Sequence, residues 1–268
     1  MKPQQGFSLI ELAIALMILG LITLGAVVSM TQQAEQRRFA QARSQLELAR
    51  EAALAFVTVN GRLPCPATAT SNGQESIASN VSGVITCSLE AGFVPAVTLG
   101  LTELDSQGLI NNPWNDGANG AGTRPRALRY ALTNLSGTVA NALSSPGLGA
   151  PSSTTRRADV QASITAGQGW FICASAGGIG AGSNRCGTTT NLLSASSAAA
   201  IWTLGANGND TSIYSADETQ NANLAIARVL ISRGIAPQGA TAGMFDDLVT
   251  WVPYSIIADR LFATGFVQ

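Results

Sequence analysis

The chain has 268 residues, of which 46% are hydrophobic and only 12% are charged, and its formal net charge at pH 7 is -1. A charge near zero argues against nucleic acid as a default partner, because phosphate binding needs a clustered excess of Lys and Arg. The sequence has no histidine, and its one lysine is Lys2. These absences exclude catalytic pairs and zinc sites built on imidazole, and they restrict lysine chemistry to the N-terminus. We therefore expect no enzyme and no cofactor.

The first predicted element is a long apolar helix. Residues 7–30 contain a single charged residue, Glu11, and no proline. As a helix they would extend about 36 Å, which exceeds a hydrocarbon core of about 30 Å. We predict a transmembrane segment over residues 7–30, preceded by a short polar leader at residues 1–6. The alternative is a secretory signal peptide cleaved near Ser29, although the apolar run is longer than in most signal peptides.

Glu11 is the unusual residue of this segment. A carboxylate at bilayer depth costs about 2.5–3.5 kcal/mol on insertion scales and usually has a partner, and residues 7–30 contain no basic residue. If the chain were cut after Gly6, Phe7 would gain a free α-amine, and the amine of a neighbouring subunit could then pair with Glu11. The alternative is a generic anchor charge near the membrane interface.

The sequence Gly6-Phe7-Ser8-Leu9-Ile10-Glu11 resembles the processing site of type IV prepilins, a family that includes pilins, minor pilins and the pseudopilins of type II secretion. The resemblance implies that a prepilin peptidase cuts after Gly6 and methylates the amine of Phe7. It also implies assembly with other pilin or pseudopilin subunits, through this helix, at an inner-membrane assembly platform. Glu11 stands at the position that the family uses for assembly.

The helix is predicted to continue over residues 31–60 as an amphipathic segment. Its apolar residues recur at intervals of three and four, which places them on one helical face; they are Phe39, Ala42, Leu46, Ala49, Ala53 and Phe56. Asn60-Gly61 offers a left-handed helix stop, and Pro64 disfavours continuation. We predict one helix from Phe7 to Asn60 whose second half packs against a globular head.

After Gly61 the composition predicts a β-rich head over residues 61–268, so that the overall fold class is α+β. The predicted strands are Arg126–Leu132, Trp170–Ala174, Ala200–Leu204, Ile226–Ser232 and Leu248–Val252. Residues 136–168 and 175–198 are rich in small residues and are predicted to be loops. We assign residues 133–222 to a variable insertion, and we expect a final amphipathic stretch through Arg260.

Several short motifs in the head resemble a pilin-like group related to pseudopilins. They are Gly61–Pro66, Gly92–Pro95, Thr98–Leu101, Asn112–Trp114, Leu128–Ala131 and Phe245–Trp251. In that group the Pro-Trp turn usually follows Asp and precedes Gly, whereas here Asn112 and Asn115 flank it. This departure argues against ion binding at the turn.

The chain has four cysteines, Cys65, Cys87, Cys173 and Cys186. Disulfides persist in the oxidising compartments that an exported head would reach. The sequence permits three ways of pairing the four residues, and we favour the pairing of cysteines that are near in sequence, Cys65 with Cys87 and Cys173 with Cys186. Metal binding by these residues is disfavoured because the chain has neither a Cys-x-x-Cys pair nor a histidine.

Two other motifs invite functional interpretations that we disfavour. The glycine-rich run 177–182 fits neither a dinucleotide-binding nor a Walker loop, and we predict a flexible loop bounded by a disulfide. Asp246 and Asp247 are weak calcium candidates, because adjacent carboxylates suit a hard cation and the heads of major pseudopilins have a C-terminal calcium site. Their spacing matches no ligand set that we can carry over, so we expect a solvated turn and no metal site.

The sequence therefore predicts a structural subunit of a type IV pilus or type II secretion pseudopilus. It would be a single-pass protein of the bacterial inner membrane, with a periplasmic head, before it enters the filament. The alternative is a minor pilin that acts as a filament-tip adhesin or binds a ligand through residues 133–222. A membrane-anchored hydrolase using carboxylates such as Asp105 and Asp116 ranks last, because no motif brings them together.

Overall fold

The computed structural model describes residues 9–81, 84–110, 113–114, 127–132, 169–180, 183, 185–208, 210–223 and 228–265. The predicted leader, residues 1–6, lies outside these ranges. The contacts of the chain define two compact units, Met1–Gln41 and Ala42–Gln268.

Helices and strands follow the chain in a mixed order. The helices are α1 (Leu9–Asn60), α2 (Ala216–Ala222) and α3 (Tyr254–Ala263), with short 3-10 turns at Thr189–Asn191 and Thr211–Ile213. The strands are β1 (Ile77–Val81), β2 (Val84–Cys87), β3 (Ala91–Phe93), β4 (Arg129–Leu132), β5 (Trp170–Cys173), β6 (Leu192–Thr203), β7 (Val229–Ile231) and β8 (Leu248–Pro253). The fold thus combines helices with sheet, as the sequence predicts.

Helix α1 ends where the sequence predicts. Asn60 is its last residue, and Gly61 has a φ of +66°, a conformation that glycine adopts without steric cost. The Gly61 N–H donates to the Val57 carbonyl at 2.8 Å, which satisfies one of the last helical carbonyls. Among the described residues, no helix has both the length and the apolar character needed to cross a membrane. The transmembrane assignment of residues 7–30 stays a prediction.

The second half of α1 belongs to the larger unit. Ala42, Ala49 and Ala53 are at most 1% exposed and Leu46 is 3% exposed, which follows the predicted apolar stripe. The helix also contacts β8, because Arg50 Nε donates to the Trp251 carbonyl at 3.3 Å. The compact head therefore begins at Ala42 rather than at residue 61.

Within the described residues, the head contains a two-stranded sheet, β1–β2, and a six-stranded sheet in the order β3-β4-β6-β5-β7, with β8 also paired to β6. Strand β6 is central: its first half pairs with β5, and its second half pairs with both β4 and β8. These pairings are antiparallel, whereas β5 and β7 run parallel. The prediction that residues 175–198 form a loop is wrong for residues 192–198, because β5 pairs with Leu192, Ser194 and Ser197 of this segment.

Strand β5 shows that both faces of the main sheet are covered. Trp170 and Ile172 pack in one buried cluster, and Phe171 and Cys173 pack in another. Since alternate residues of a strand point to opposite faces, two cores flank the sheet. Strands β5 and β6 both come from residues 133–222, so the part of this range from residue 170 onward forms the centre of the head and is not a removable insertion.

Candidate functional site

The predicted processing junction lies at the very N-terminus. Gly6 and Phe7 fall outside the described residues. Glu11 lies in the first turn of α1, and its side chain is exposed. A negative charge in the first turn interacts favourably with the positive end of the helix dipole, so this position suits a carboxylate even without an ion-pair partner.

The helix around Glu11 presents an apolar surface to its surroundings. Eight large apolar side chains between residues 9 and 19 are between 52% and 87% exposed: Leu9, Ile10, Leu12, Ile14, Leu16, Met17, Ile18 and Leu19. Burying one such side chain completely is worth about 1.5–3 kcal/mol. A contiguous apolar surface of this kind marks a site of contact with a membrane or with another protein.

A second group of candidate site residues lies inside the head. Glu218, Asp246 and Asp247 each place a carboxylate oxygen within 4.8 Å of the others. The three residues are 1%, 3% and 2% exposed, and they form what we call the acidic cluster. The prediction of a solvated turn at Asp246 and Asp247 is therefore wrong. Asp246 and Asp247 are buried because both flanking segments are part of the core. Phe245 before them is 0% exposed, and β8 begins directly after them.

Hydrogen bonds place Glu218 and Asp246 in the cluster. Glu218 Oε2 accepts from the backbone N–H of Ser215 at 2.9 Å, in a capping box that starts α2. Glu218 Oε1 accepts from the Asp246 backbone N–H at 3.2 Å and from Asn207 Nδ2 at 3.1 Å. Asp246 Oδ2 in turn accepts from the backbone N–H groups of Ala206 and Asn207. The cluster thus joins the loop after β6, the start of α2 and the start of β8.

Asp247 is 2% exposed, and its side chain has a hydrogen-bond partner in α2. Its Oδ2 accepts from Asn221 Nδ2 at 2.8 Å. Burial raises the pKa of Asp247 well above its ordinary value, and the charges of Asp246 and Glu218 raise it further. The hydrogen bond from Asn221 and the charge of Arg129 act in the opposite direction.

Arg129, at the start of β4, supplies positive charge near the cluster. Burial lowers its pKa, while the charges of Tyr214 and Asp247 oppose this effect. Burial and the Asp247 charge also raise the pKa of the Tyr214 phenol to about 12. Asp247, Arg129 and Tyr214 therefore interact electrostatically in one partly enclosed region of the head.

Residues 1–27 match the family described as the prokaryotic N-terminal methylation motif. The chain carries the signal of type IV pilins and pseudopilins. This match covers Gly6, Phe7 and Glu11, and it agrees with the resemblance seen in the sequence. No curated protein and no solved structure matches the chain.

Beyond the methylation motif, the structure contains the two disulfides of the favoured pairing. Cys65 is bonded to Cys87 and Cys173 to Cys186, with Cα–Cα distances of 5.2 and 5.7 Å. The first links the segment after α1 to β2. The second links the end of β5 to the segment before β6, and it encloses the glycine-rich run 177–182, of which residues 181 and 182 lie outside the described residues.

Of the two hydrolase candidates, Asp105 lies within the described residues. Asp105 Oδ1 accepts from the backbone N–H groups of Gln107 and Leu109 at 2.8 and 3.0 Å, which gives this carboxylate a role in holding a turn. Asp116 lies outside the described residues, as do Asn112 and Asn115 beside the predicted Pro-Trp turn.

Sequence reasoning missed Glu218, the third member of the acidic cluster, and Asn207, which donates a hydrogen bond to it. One signal for Glu218 was available, because Ser215-x-x-Glu218 has the spacing of a capping box. No local pattern distinguishes Asn207, which lies in a loop rich in Gly and Asn. Its position beside Glu218 depends on the packing of that loop against α2.

Proposed function

We propose that the chain is a structural subunit of a type IV pilus or a type II secretion pseudopilus. It is synthesised as a precursor, cut after Gly6 by a prepilin peptidase and methylated on the amine of Phe7. The methylation motif at residues 1–27 is the observation that supports this proposal.

The exposed apolar side chains of residues 9–19 give the proposal its physical basis. In the separate chain they face solvent, so a stable location must cover them. We infer that the lipid bilayer of the bacterial inner membrane covers them before assembly, with the head in the periplasm. The helices of neighbouring subunits cover them in the filament, after extraction at the inner-membrane assembly platform.

Glu11 has a specific role in this proposal. Helix packing within a bilayer gains little from the hydrophobic effect, because lipid is as apolar as the side chains. A charge pair between Glu11 and the α-amine of Phe7 in a neighbouring subunit would supply both attraction and an axial register. The pair can form only after cleavage exposes the amine.

Substitution at the junction tests the proposal. We expect Gly6→Leu to leave an uncleaved precursor in cells that produce a prepilin peptidase, because a bulky residue blocks the cleavage position. Gln5→Leu introduces the same residue one position earlier and should be processed. Immunoblotting of membrane fractions separates precursor from mature protein by size. Normal processing of Gly6→Leu would contradict the proposal.

The alternative of a filament-tip adhesin remains a separate proposal. Because residues 170–222 contain β5, β6 and α2, deleting all of 133–222 would destroy the head. Removal of residues 136–168 alone tests the adhesin proposal. Cell adhesion and filament number are both measured before and after the deletion. Loss of adhesion with unchanged filaments would favour the adhesin.

A further inference from the structure

Within the described residues, the main sheet ends in three edge strands, β3, β7 and β8, and other groups cover the first two. At β3, Phe93 exchanges two backbone hydrogen bonds with Ala67, each at 2.9 Å. At β7, the side-chain amide of Asn221 takes the place of a strand: Nδ2 donates to the Ile231 carbonyl at 2.9 Å, and Oδ1 accepts from the Ile231 N–H at 2.7 Å. Proteins cover such edges because an open edge pairs with other chains.

Strand β8 is different, because one of its sides is open. It pairs with β6 on one side, and no described strand lies on the other. The Trp251 carbonyl faces the open side, where it accepts from Arg50 Nε at 3.3 Å. Backbone groups alternate in direction along an antiparallel strand, so the N–H and C=O of Val249 face the same side. Neither these two groups nor the Trp251 N–H has a hydrogen-bond partner in the described part of the chain.

Val249 also lines a cavity of about 360 Å³ between β8 and the second half of α1. The apolar part of its wall includes Leu46 of α1 and Leu248 of β8. The helix and the strand meet where the Thr250 hydroxyl donates to Glu47 Oε1 at 3.2 Å. An extended peptide that adds to an open strand gains affinity from main-chain hydrogen bonds and specificity from neighbouring side-chain pockets. The open side of β8 and this cavity together provide both.

The charges around the cavity favour an acidic partner. Four ionisable side chains line it, and Glu47 is already paired within α1 at 3.2 Å. Arg233 Nε lies 2.6 Å from Asp217 Oδ2. Burial raises the pKa of Asp247, which favours its neutral form. Arg43 is exposed and has no ion-pair partner among the described carboxylates, so its positive charge is available to a partner.

We propose that an extended segment of another protein adds to β8 as a further strand, in the groove between β8 and α1. Its backbone exchanges hydrogen bonds with Val249 and accepts one from the Trp251 N–H. An apolar side chain of the segment packs on Leu46 and Leu248, and an acidic side chain pairs with Arg43. The alternative occupant, a second copy of this chain, is distinguished by the experiments below.

Binding of synthetic peptides to the full-length protein in detergent tests the proposal. The probe is a fluorescein-labelled peptide in which valine and threonine alternate before two glutamates, and the matched peptide ends in two lysines instead. By fluorescence anisotropy we expect the acidic peptide to bind roughly fivefold more tightly. N-methylation of one alternate set of its amides should weaken binding roughly tenfold, and methylation of the other set should not, because only alternate groups face β8. Equal effects of the two sets would contradict strand addition.

Three variants locate the peptide on the head. Val249→Pro removes an N–H from the open side of β8, where an edge strand tolerates proline, and should abolish binding. Arg43→Glu should weaken binding of the acidic peptide and strengthen binding of the lysine peptide. Arg185→Glu makes the same change at an exposed position outside the cavity and should alter neither. If Val249→Pro fails to fold, Arg43→Glu decides.

Three results would overturn the proposal. The first is no binding of the acidic peptide to wild type at concentrations up to about 1 mM. The second is equal binding by Arg43→Glu and Arg185→Glu. The third is a dimer of the free protein that Val249→Pro dissociates while the peptide does not bind, which would assign the open side of β8 to a second copy of this chain.

Discussion

The packing of α1 against the head can be tested with two identical substitutions on one helix. Leu46 is 3% exposed and Leu48 is 55% exposed. Leu46→Ala deletes a buried side chain, which costs about 2–5 kcal/mol from lost burial and the remaining cavity. Leu48→Ala deletes a side chain that is mostly in solvent, and such changes usually stay within about 0.5 kcal/mol. Both changes alter helix propensity equally, so their difference isolates burial.

The expected difference is large enough to measure by thermal unfolding. A loss of about 3 kcal/mol lowers Tm by roughly 6–12 °C in a domain of this size class. Tryptophan fluorescence reports the transition, because Trp170 and Trp202 are at most 1% exposed in the head. Equal Tm values for Leu46→Ala and Leu48→Ala would refute the conclusion that residues from Ala42 onward belong to the folded head.

Three further predictions concern charge and backbone. Glu75 accepts two hydrogen bonds from the Arg62 guanidinium, and although burial alone would raise its pKa, these bonds lower it below the ordinary 4.5. The stability that wild type gains over Glu75→Gln should therefore be constant above pH 4.5 and shrink as pH falls through the lowered pKa, in urea titrations at several pH values. Gly205→Ala should destabilise the head by more than Gly100→Ala in the same titrations. Both positions have positive φ, but an added Cβ at Gly205 would meet the Asp246 carboxylate, whereas at Gly100 it meets nothing within 4 Å. Glu11→Val should be cleaved normally but lost from sheared filaments.

Each of these predictions has an outcome that counts against it. If the difference in the free energy of unfolding between wild type and Glu75→Gln does not change with pH, the ionised Glu75–Arg62 pair does not stabilise the head. If Gly205→Ala and Gly100→Ala lower the free energy of unfolding equally, the clash with Asp246 is relieved without cost. For Glu11, the matched variant is Glu35→Val, an exposed acid further along α1. Equal incorporation of both variants would refute the pairing with a neighbouring amine.

The sequence located the features that local chemistry determines. Asn60-Gly61 identified the end of α1 because a left-handed glycine is needed there. The five predicted strands overlap β4, β5, β6, β7 and β8, since each contains a short run of apolar or β-branched residues. Strands β1, β2 and β3 were missed, and contacts distant in sequence help to place them: the Cys65–Cys87 bond and the bridge between Ala67 and Phe93.

Prediction from the sequence failed where tertiary packing determines the local structure. The segment Leu192–Ala198 reads as a loop because it is rich in Ser and Ala, yet it forms the first half of β6. Small side chains suit this strand, since Ala198, Ala199 and Ala200 are 0% exposed between neighbouring strands. The acidic cluster is a similar case. Aspartates before a strand usually face solvent, whereas Asp246 and Asp247 are buried between Phe245 and β8, with Glu218 of α2 beside them.

The mass of the mature polypeptide decides whether the N-terminal segment works as proposed. Intact mass and N-terminal peptide mass spectrometry should show a chain that begins at Phe7 and carries one methyl group on its α-amine. Retention of Met1, or a mature chain that begins near Ser29, would contradict the assignment of this protein to the filament.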